Sequence, residues 1–226
     1  MNEKIERSIS FATSNSHKFR EVELVLRRLG VGVRRLRGKG LEIQSDDIVE
    51  VARFASADAS KKYGRPLIVE DTGLFIDALG GFPGPYASFV FRSIGSEAIL
   101  RLLGGKGKEE EEERRATFRS AVAYCEPAGV PMVFRGSIVG AIAKRAAGRG
   151  GFGFDPIFIP AGHRHTMAEL SIDEKCRISH RAEAVTKFGE WYVRLVGNVY
   201  QPNLNDSRRA DGRRHGFIRT DTGSRT

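Results

Sequence analysis

Ser8-Ile9-Ser10-Phe11-Ala12-Thr13, then Ser14-Asn15-Ser16, then His17-Lys18-Phe19 is the stretch on which the reading of this chain turns. The first six residues make a short apolar run of the length of a buried strand. Beyond the loop Ser14–Ser16, the residues Phe19, Val22, Leu26 and Leu29 recur at helical spacing, and Gly30 supplies the stop. Working outward, Val31–Leu36 reads as a second strand. Ile48–Tyr63 reads as a helix with Ile48, Val51, Ala52, Ala55 and Ala59 on one face. Leu67–Glu70 is a short apolar strand that ends on acids. Ala116–Cys125 and Met132–Ile142 are strand-like runs on either side of Glu126–Pro131, where Pro127 and Gly129 predict a hairpin. Ser179 is a good N-cap for a last helix carrying Ala184, Phe188, Trp191 and Leu195 on one stripe. Alternating strands and helices followed by an antiparallel section give an α/β fold with a mixed sheet.

Composition narrows the class. Hydrophobic residues make up 40% and charged residues 29% of the 226 residues, which fits a globular protein and argues against disorder. No apolar run approaches the roughly 18 residues of a membrane helix. Met1–Arg7 is charged and leads straight into a strand, so no secretory signal is expected. Cys125 and Cys176 form no metal-ligand pair, and so few cysteines point to a reducing cytoplasm. The net charge of +9 and pI of 9.8 suit polyanionic ligands, from nucleic acid to phosphorylated small molecules. Much of the excess sits in Arg208, Arg209, Arg213, Arg214, Arg219 and Arg225. The expected organisation is one domain over 1–196 and a basic, mobile tail over 197–226. Lys106–Arg115 reads as a solvated loop or helix end.

Four segments carry side chains with chemical potential. Thr13-Ser14-Asn15-Ser16-His17-Lys18 joins a strand end to a helix start, where free N–H groups and the positive dipole end suit phosphate. By itself the segment favours an ordinary strand–helix turn with an Asn that tolerates unusual backbone angles, and the glycine pattern of a Walker A loop is missing. Glu70-Asp71-Thr72-Gly73 places adjacent carboxylates at a strand end, a costly choice unless they bind metal or accept hydrogen bonds. Because neighbouring strand residues face opposite ways, Asp71 in a cleft implies Glu70 outside it, unless the chain turns. Gly148–Pro156 contains a G-x-G-x-x-G spacing, but Pro156 and a strand follow instead of a helix. Phe152 and Asp155 on that loop can offer a stacking face and an acceptor to a flat ring. In the fourth segment, Ser171 and Glu174 form a capping box, and His180 and Arg181 open the last helix. Cations in a first helical turn oppose the dipole unless an acceptor lies nearby. His163 and His165 read as surface residues.

Together these segments resemble the inosine triphosphate pyrophosphatase, or Ham1, family. The likeness rests on Thr13-Ser14-Asn15 with Lys18 and Glu21, on Glu42-Ile43-Gln44, and on Val69-Glu70-Asp71-Thr72-Gly73-Leu74. It continues through Ala78–Gly84, Gly151–Pro156, Met167–Leu170, Lys175 and Ser179-His180-Arg181. The resemblance implies an elongated mixed α/β fold with two lobes and a substrate cleft between them. It further implies hydrolysis of ITP, dITP and XTP to monophosphate and pyrophosphate with Mg²⁺, in a homodimer. By the same likeness Thr13, Ser14, Asn15, Ser16, His17 and Lys18 hold the triphosphate, and Glu42 and Asp71 hold the metal. Asp71 is also the catalytic base, Thr72 contacts substrate, and Phe152, Gly153, Phe154, Asp155, Lys175, His180 and Arg181 meet the nucleotide and its base. A lysine common in the family on the helix before Asp71 has no clear counterpart among Arg53, Lys61 and Lys62, and Cys176 stands where an Asn is common. The contrasting reading is a basic nucleic-acid-binding module without catalysis, which needs neither Glu42 nor Asp71.

Overall fold

The computed structural model describes residues 7–38, 40–104 and 111–199. The arginine-rich tail from residue 200, the charged start before Arg7 and the first half of the Lys106–Arg115 run lie outside the described residues.

The opening stretch folds as its pattern requires. Strand β1 (Ser8–Ala12) feeds helix α1 (Ser16–Arg28) through a loop capped by Asn15, whose Oδ1 accepts from the backbone of His17 and Lys18. Strand β2 (Gly32–Leu36) follows and pairs parallel with β1. Helix α2 (Ile48–Tyr63) has the expected bounds, set by Asp47 at its N-cap and left-handed Gly64 after its end. Beyond strand β3 (Leu67–Ile76) and the short β4 (Pro83–Gly84) comes helix α3 (Ala87–Gly104), kinked at Gly95. Strands β5 (Arg115–Cys125) and β6 (Met132–Ile142) form the expected hairpin, and β7 (Phe158–Pro160) pairs with the end of β6. The chain closes with α4 (Ile172–Ile178), which starts on the Ser171–Glu174 capping box, and α5 (His180–Val199). Helix α5 runs past Val196, so the expected domain boundary falls inside it. Among the described residues no helix is long and apolar enough to cross a membrane.

The sheet is mixed, in the order β2-β1-β3-β5-β6-β7, with β4 alongside β3. The first three strands are parallel, and β3 to β7 run antiparallel. Strand β3 is longer than its sequence suggested: it continues through Asp71-Thr72-Gly73 and pairs with β5 from Leu67 to Ile76. Gly73 allows a close approach, because a Cβ there would lie 2.8 Å from the Gly84 carbonyl oxygen of β4.

Four hydrophobic clusters make up the core among the described residues, and two of them flank the α5 face of the sheet. One gathers Ile9, Phe11, Val22, Leu26, Ile68, Val122 and Phe188 around α1 and α5. The other gathers Leu74, Ile99, Phe118, Ile142, Phe154 and Phe158 around α3 and the far half of the sheet. On the face of β3 that points toward α5, alternation gives Ile68, Glu70, Thr72 and Leu74; on β5 it gives Val122, Ser120 and Phe118. The apolar ends of each row enter different clusters, and the polar residues fall between them. The two-lobed expectation thus has a physical counterpart in a polar seam across a single sheet.

Helix α5 is brought down onto this seam by Gly136 of β6. A Cβ at that position would stand 2.1 Å from the His180 carbonyl oxygen and 2.6 Å from the Ala184 nitrogen. Any side chain would lift the start of α5, with His180 and Arg181 on it, away from the sheet.

Candidate active site

Glu70 lies at the centre of the seam, its side chain fully buried. Its Oε1 accepts from Ser120 Oγ at 2.7 Å, from Arg181 Nε at 3.1 Å and from the Thr72 hydroxyl. Its Oε2 lies 2.8 Å from Lys18 Nζ. Arg181 spends its other donors on Glu21 Oε2 at 2.5 Å and on Thr72 Oγ1 at 2.9 Å. Glu21 Oε1 in turn lies 2.8 Å from Lys175 Nζ, which also sits 2.5 Å from Asp155 Oδ2. The Phe152 N–H donates to that same Asp155 oxygen at 2.7 Å. Three cations (Lys18, Lys175, Arg181) thus meet three carboxylates (Glu21, Glu70, Asp155) in one continuous network. Buried charges persist only when paired and hydrogen-bonded in this way.

The electrostatics follow from the pairing. Burial works against the Glu70 carboxylate, yet Arg181 and Lys18 hold it well below the ordinary range. Burial opposes Glu21 too, and Arg181 and Lys175 bring it below its usual value. Asp155 is pushed up by burial, against the pull of Lys175. Burial, with Arg181 alongside, pushes the His180 imidazole well below its ordinary 6.5, so it is neutral near pH 7. That removes half of the expected conflict at the start of α5: His180 carries no charge there, and Arg181 has two carboxylate partners. His180 stacks on Phe118 at 4.7 Å with the planes 9° apart. Neither of its ring nitrogens has a hydrogen-bond partner among the described residues.

Phe152 lies at the open end of the network. The His17 ring stacks on it at 5.2 Å, Lys175 Nζ stands 4.8 Å from its centroid and the Arg181 guanidinium carbon 5.4 Å. His17, Lys18, Thr72, Phe152, Asp155, Lys175 and Arg181, singled out in four separate segments, are therefore brought together. Thr13 is buried behind the loop and its Oγ1 accepts from the Asn15 N–H, while Ser14 and Ser16 are exposed on it. Two of the N–H groups expected to be free at the start of α1 are taken by the Asn15 cap. Gly153 forms the turn after Phe152, with a positive φ of 63°. Phe154 does not join the network; it is buried in the second cluster, edge-on to Phe91 at 5.4 Å.

Asp71 and Glu42 are placed toward the other side of the sheet. Asp71 is half-buried and, one residue after Glu70, belongs to the opposite face of β3. That face carries Leu67 and Val69, which pack under Ala55 and Ala59 of α2. Glu42 is exposed on a segment tied to the same helix, where Asp58 Oδ2 accepts from the Leu41 N–H at 2.8 Å. Both carboxylates therefore belong to the α2 side of the sheet. Among the described residues, no three His, Cys, Asp or Glu side chains converge closely enough to hold a metal by themselves.

The two faces communicate at one edge of β3. Strand β1 pairs with β3 only at Leu67 and Ile68, and β4 only at Leu74 and Phe75. Between them, among the described residues, Val69 to Gly73 have no partner strand on that side, and the Thr13–Lys18 loop stands there with Lys18 Nζ 3.4 Å from the Glu70 carbonyl oxygen.

Glu21, Glu70 and Ser120 were not among the expected site residues. Glu21 interrupts the apolar stripe formed by Val22, Val25 and Leu26, and Ser120 breaks the apolar run of β5; an isolated polar residue on a buried face was the available signal.

Residues 9–191 match the model of the Ham1 family. A dITP/XTP pyrophosphatase of Methanopyrus kandleri is 50% identical over 188 residues, spanning 83% of this chain and 97% of that protein. One from Pyrobaculum aerophilum is 48% identical over 183 residues, 81% of this chain and 95% of that protein. Among solved structures, a HAM1 protein from Coxiella burnetii superposes with a TM-score of 0.72 at 29% identity, covering 83% of this chain and 99% of the other. The Staphylococcus aureus Ham1 protein superposes with a TM-score of 0.68 at 30% identity, covering 85% of this chain and all of the other. With the family match running from β1 into α5 and relatives of 48–50% identity spanning four fifths of its length, the chain belongs to the Ham1 family.

Proposed function

We propose that this protein hydrolyses ITP, dITP and XTP to the monophosphate and pyrophosphate, clearing non-standard purines from the nucleotide pool of the cytoplasm. The observation that carries this reading is that Lys18 from the phosphate-type helix start and Arg181 from the base-reading helix end on the same carboxylate, Glu70. Relatives of 48–50% identity named dITP/XTP pyrophosphatases support it and displace the binding-module reading.

A nucleotide laid across the open edge of β3 meets both faces of the strand. Its base stacks on Phe152, and its triphosphate lies along Thr13–Lys18 toward Asp71. Lys18 offsets charge that builds on the pyrophosphate leaving group, since phosphoryl transfer depends chiefly on positioning and charge stabilisation. Asp71 accepts a proton from the water that attacks the α-phosphorus. Thr72, bonded to both Glu70 and Arg181, holds the site's floor rigid. Glu42 and Asp71, both on the α2 side of the sheet, would hold Mg²⁺, which takes one or two carboxylates and completes its shell with water and substrate phosphates. Bound there, the ion would polarise the phosphate oxygens.

Base choice follows from donors. Hypoxanthine and xanthine carry a 6-oxo acceptor where adenine carries an amino donor. The buried, neutral His180 has one N–H to give, and a closed site that pairs the oxo group leaves adenine facing donor against donor. We assign the homodimer contact to the apolar surface of α3 and its preceding loop, where Tyr86, Phe89, Ile94 and Leu102 are exposed.

Asp71→Asn tests the reading. Turnover of ITP is expected to fall roughly 10²–10⁴-fold, the worth of a positioned base, with the circular dichroism unchanged. Wild-type turnover by a folded variant would remove Asp71 from the mechanism.

A further inference from the structure

We propose that Glu70 is a positioning residue that sets Lys18 and Arg181 in register, so that one carboxylate fixes both the phosphate end and the base end of the bound nucleotide. The inference rests on the pyrophosphatase reading and deepens it.

Lys18 and Arg181 come from α1 and α5: Lys18 stands at the phosphate end, and Arg181, its donors spent on Glu21, Glu70 and Thr72, backs the Phe152 ring at the base end. Glu70 gives one oxygen to each: Oε2 lies 2.8 Å from Lys18 Nζ, and Oε1 lies 3.1 Å from Arg181 Nε. Its own position is over-determined. It sits on β3, paired along its length with β5, and Ser120 and Thr72 both donate to Oε1. Glu21 is the informative contrast. It also binds Arg181, but its second partner is Lys175, beside Phe152. Glu21 therefore organises the base end alone, whereas Glu70 spans both ends.

The charge matters as well as the shape. Three carboxylates balance three cations in the network. Replacing Glu70 by the isosteric Gln leaves two carboxylates for three cations, and Lys18 and Arg181 lose the anion that lies between them. Arg181 keeps Glu21, but its link to Lys18 is gone, and buried cations whose shared anion is lost move apart or draw in water, so both ends of the substrate site lose their geometry together.

Two fragments read the ends separately: inorganic tripolyphosphate for the phosphate end and inosine for the base end. Binding of each is measured by calorimetry on the full chain with Mg²⁺, so that the result does not depend on turnover. Glu70→Gln is expected to weaken both fragments about tenfold, and Glu21→Gln to weaken inosine alone. A general loss of stability would lower the melting temperature without producing this split. Binding of either fragment within twofold of wild type in folded Glu70→Gln overturns the inference while leaving the pyrophosphatase reading intact. If Glu70→Gln does not fold, Ser120→Ala removes one of the donors to Oε1 and keeps every charge. A two- to threefold weakening of both fragments supports the proposal, and no change in either overturns it. Failure of the wild-type chain to bind either fragment or to hydrolyse ITP defeats the reading itself, and this inference with it.

Discussion

Lys175 Nζ is shared between Asp155, 2.5 Å away on the glycine-rich loop, and the ring of Phe152, whose centroid lies 4.8 Å away. The pair ties the loop after β6 to α4, and it holds Phe152 at the mouth of the buried network.

The first prediction concerns that ring. Base–aromatic stacking contributes on the order of 1–3 kcal/mol. Phe152→Ala is therefore expected to raise KM for ITP by roughly tenfold or more, with a smaller change in kcat. Steady-state kinetics decide it, and an unchanged KM would mean that the base does not stack there.

Gly136 should tolerate nothing larger. The Cβ of Gly136→Ala would enter the space of the His180 carbonyl and the Ala184 nitrogen, so α5 must shift. Overpacking of this kind costs roughly 1–3 kcal/mol, and ITP turnover should fall further than the stability loss alone explains. Urea denaturation beside kinetics separates the two effects. A variant as stable and as active as wild type would show that α5 is not seated by this contact.

Buried His180 makes a pH prediction with a definite sign. Its folded pKa lies well below 6.5, so in acid the unfolded chain takes up this proton before the folded chain does. Above pH 6.5 the residue has no linked effect; as pH falls below 6.5 it costs stability, by up to about 1.4 kcal/mol per pH unit. Glu70 and Glu21 act lower. Their depressed pKa values mean that their contribution is present in full above about 4.5 and is lost as pH falls through the folded values. Between pH 6.5 and 5 the stability of wild type should therefore slope downward more steeply than that of His180→Phe. Parallel slopes would place the wild-type imidazole in contact with water.

Much of this was legible in the sequence, for identifiable reasons. The β1–α1 unit and α2 were marked by periodicity, and the β5–β6 hairpin by Pro127 with Gly129. Local patterns also flagged Lys18, Phe152 and Arg181, and the family resemblance added Thr72 and Lys175. The length of β3 was hidden because its apolar run stops at the acids Glu70 and Asp71, and only pairing with β5 carries the strand on to Ile76. The family resemblance put Phe154 at the nucleotide with Phe152, yet the turn at Gly153 sends it into the core. Glu70 was expected to face away from the site if Asp71 faced in. Alternation does separate them, but the seam on the Glu70 face depends on α1 and α5, which are remote in sequence.

Pyrophosphate release from ITP, XTP, GTP and ATP, measured with Mg²⁺ and with Mg²⁺ removed by chelator, decides the proposed activity. Release from ITP and XTP should be rapid and metal-dependent, with ATP slower by roughly 10²–10⁴ in kcat/KM. Equal rates on ITP and ATP would contradict the role given to His180, and no pyrophosphate from any of the four would contradict the proposed function.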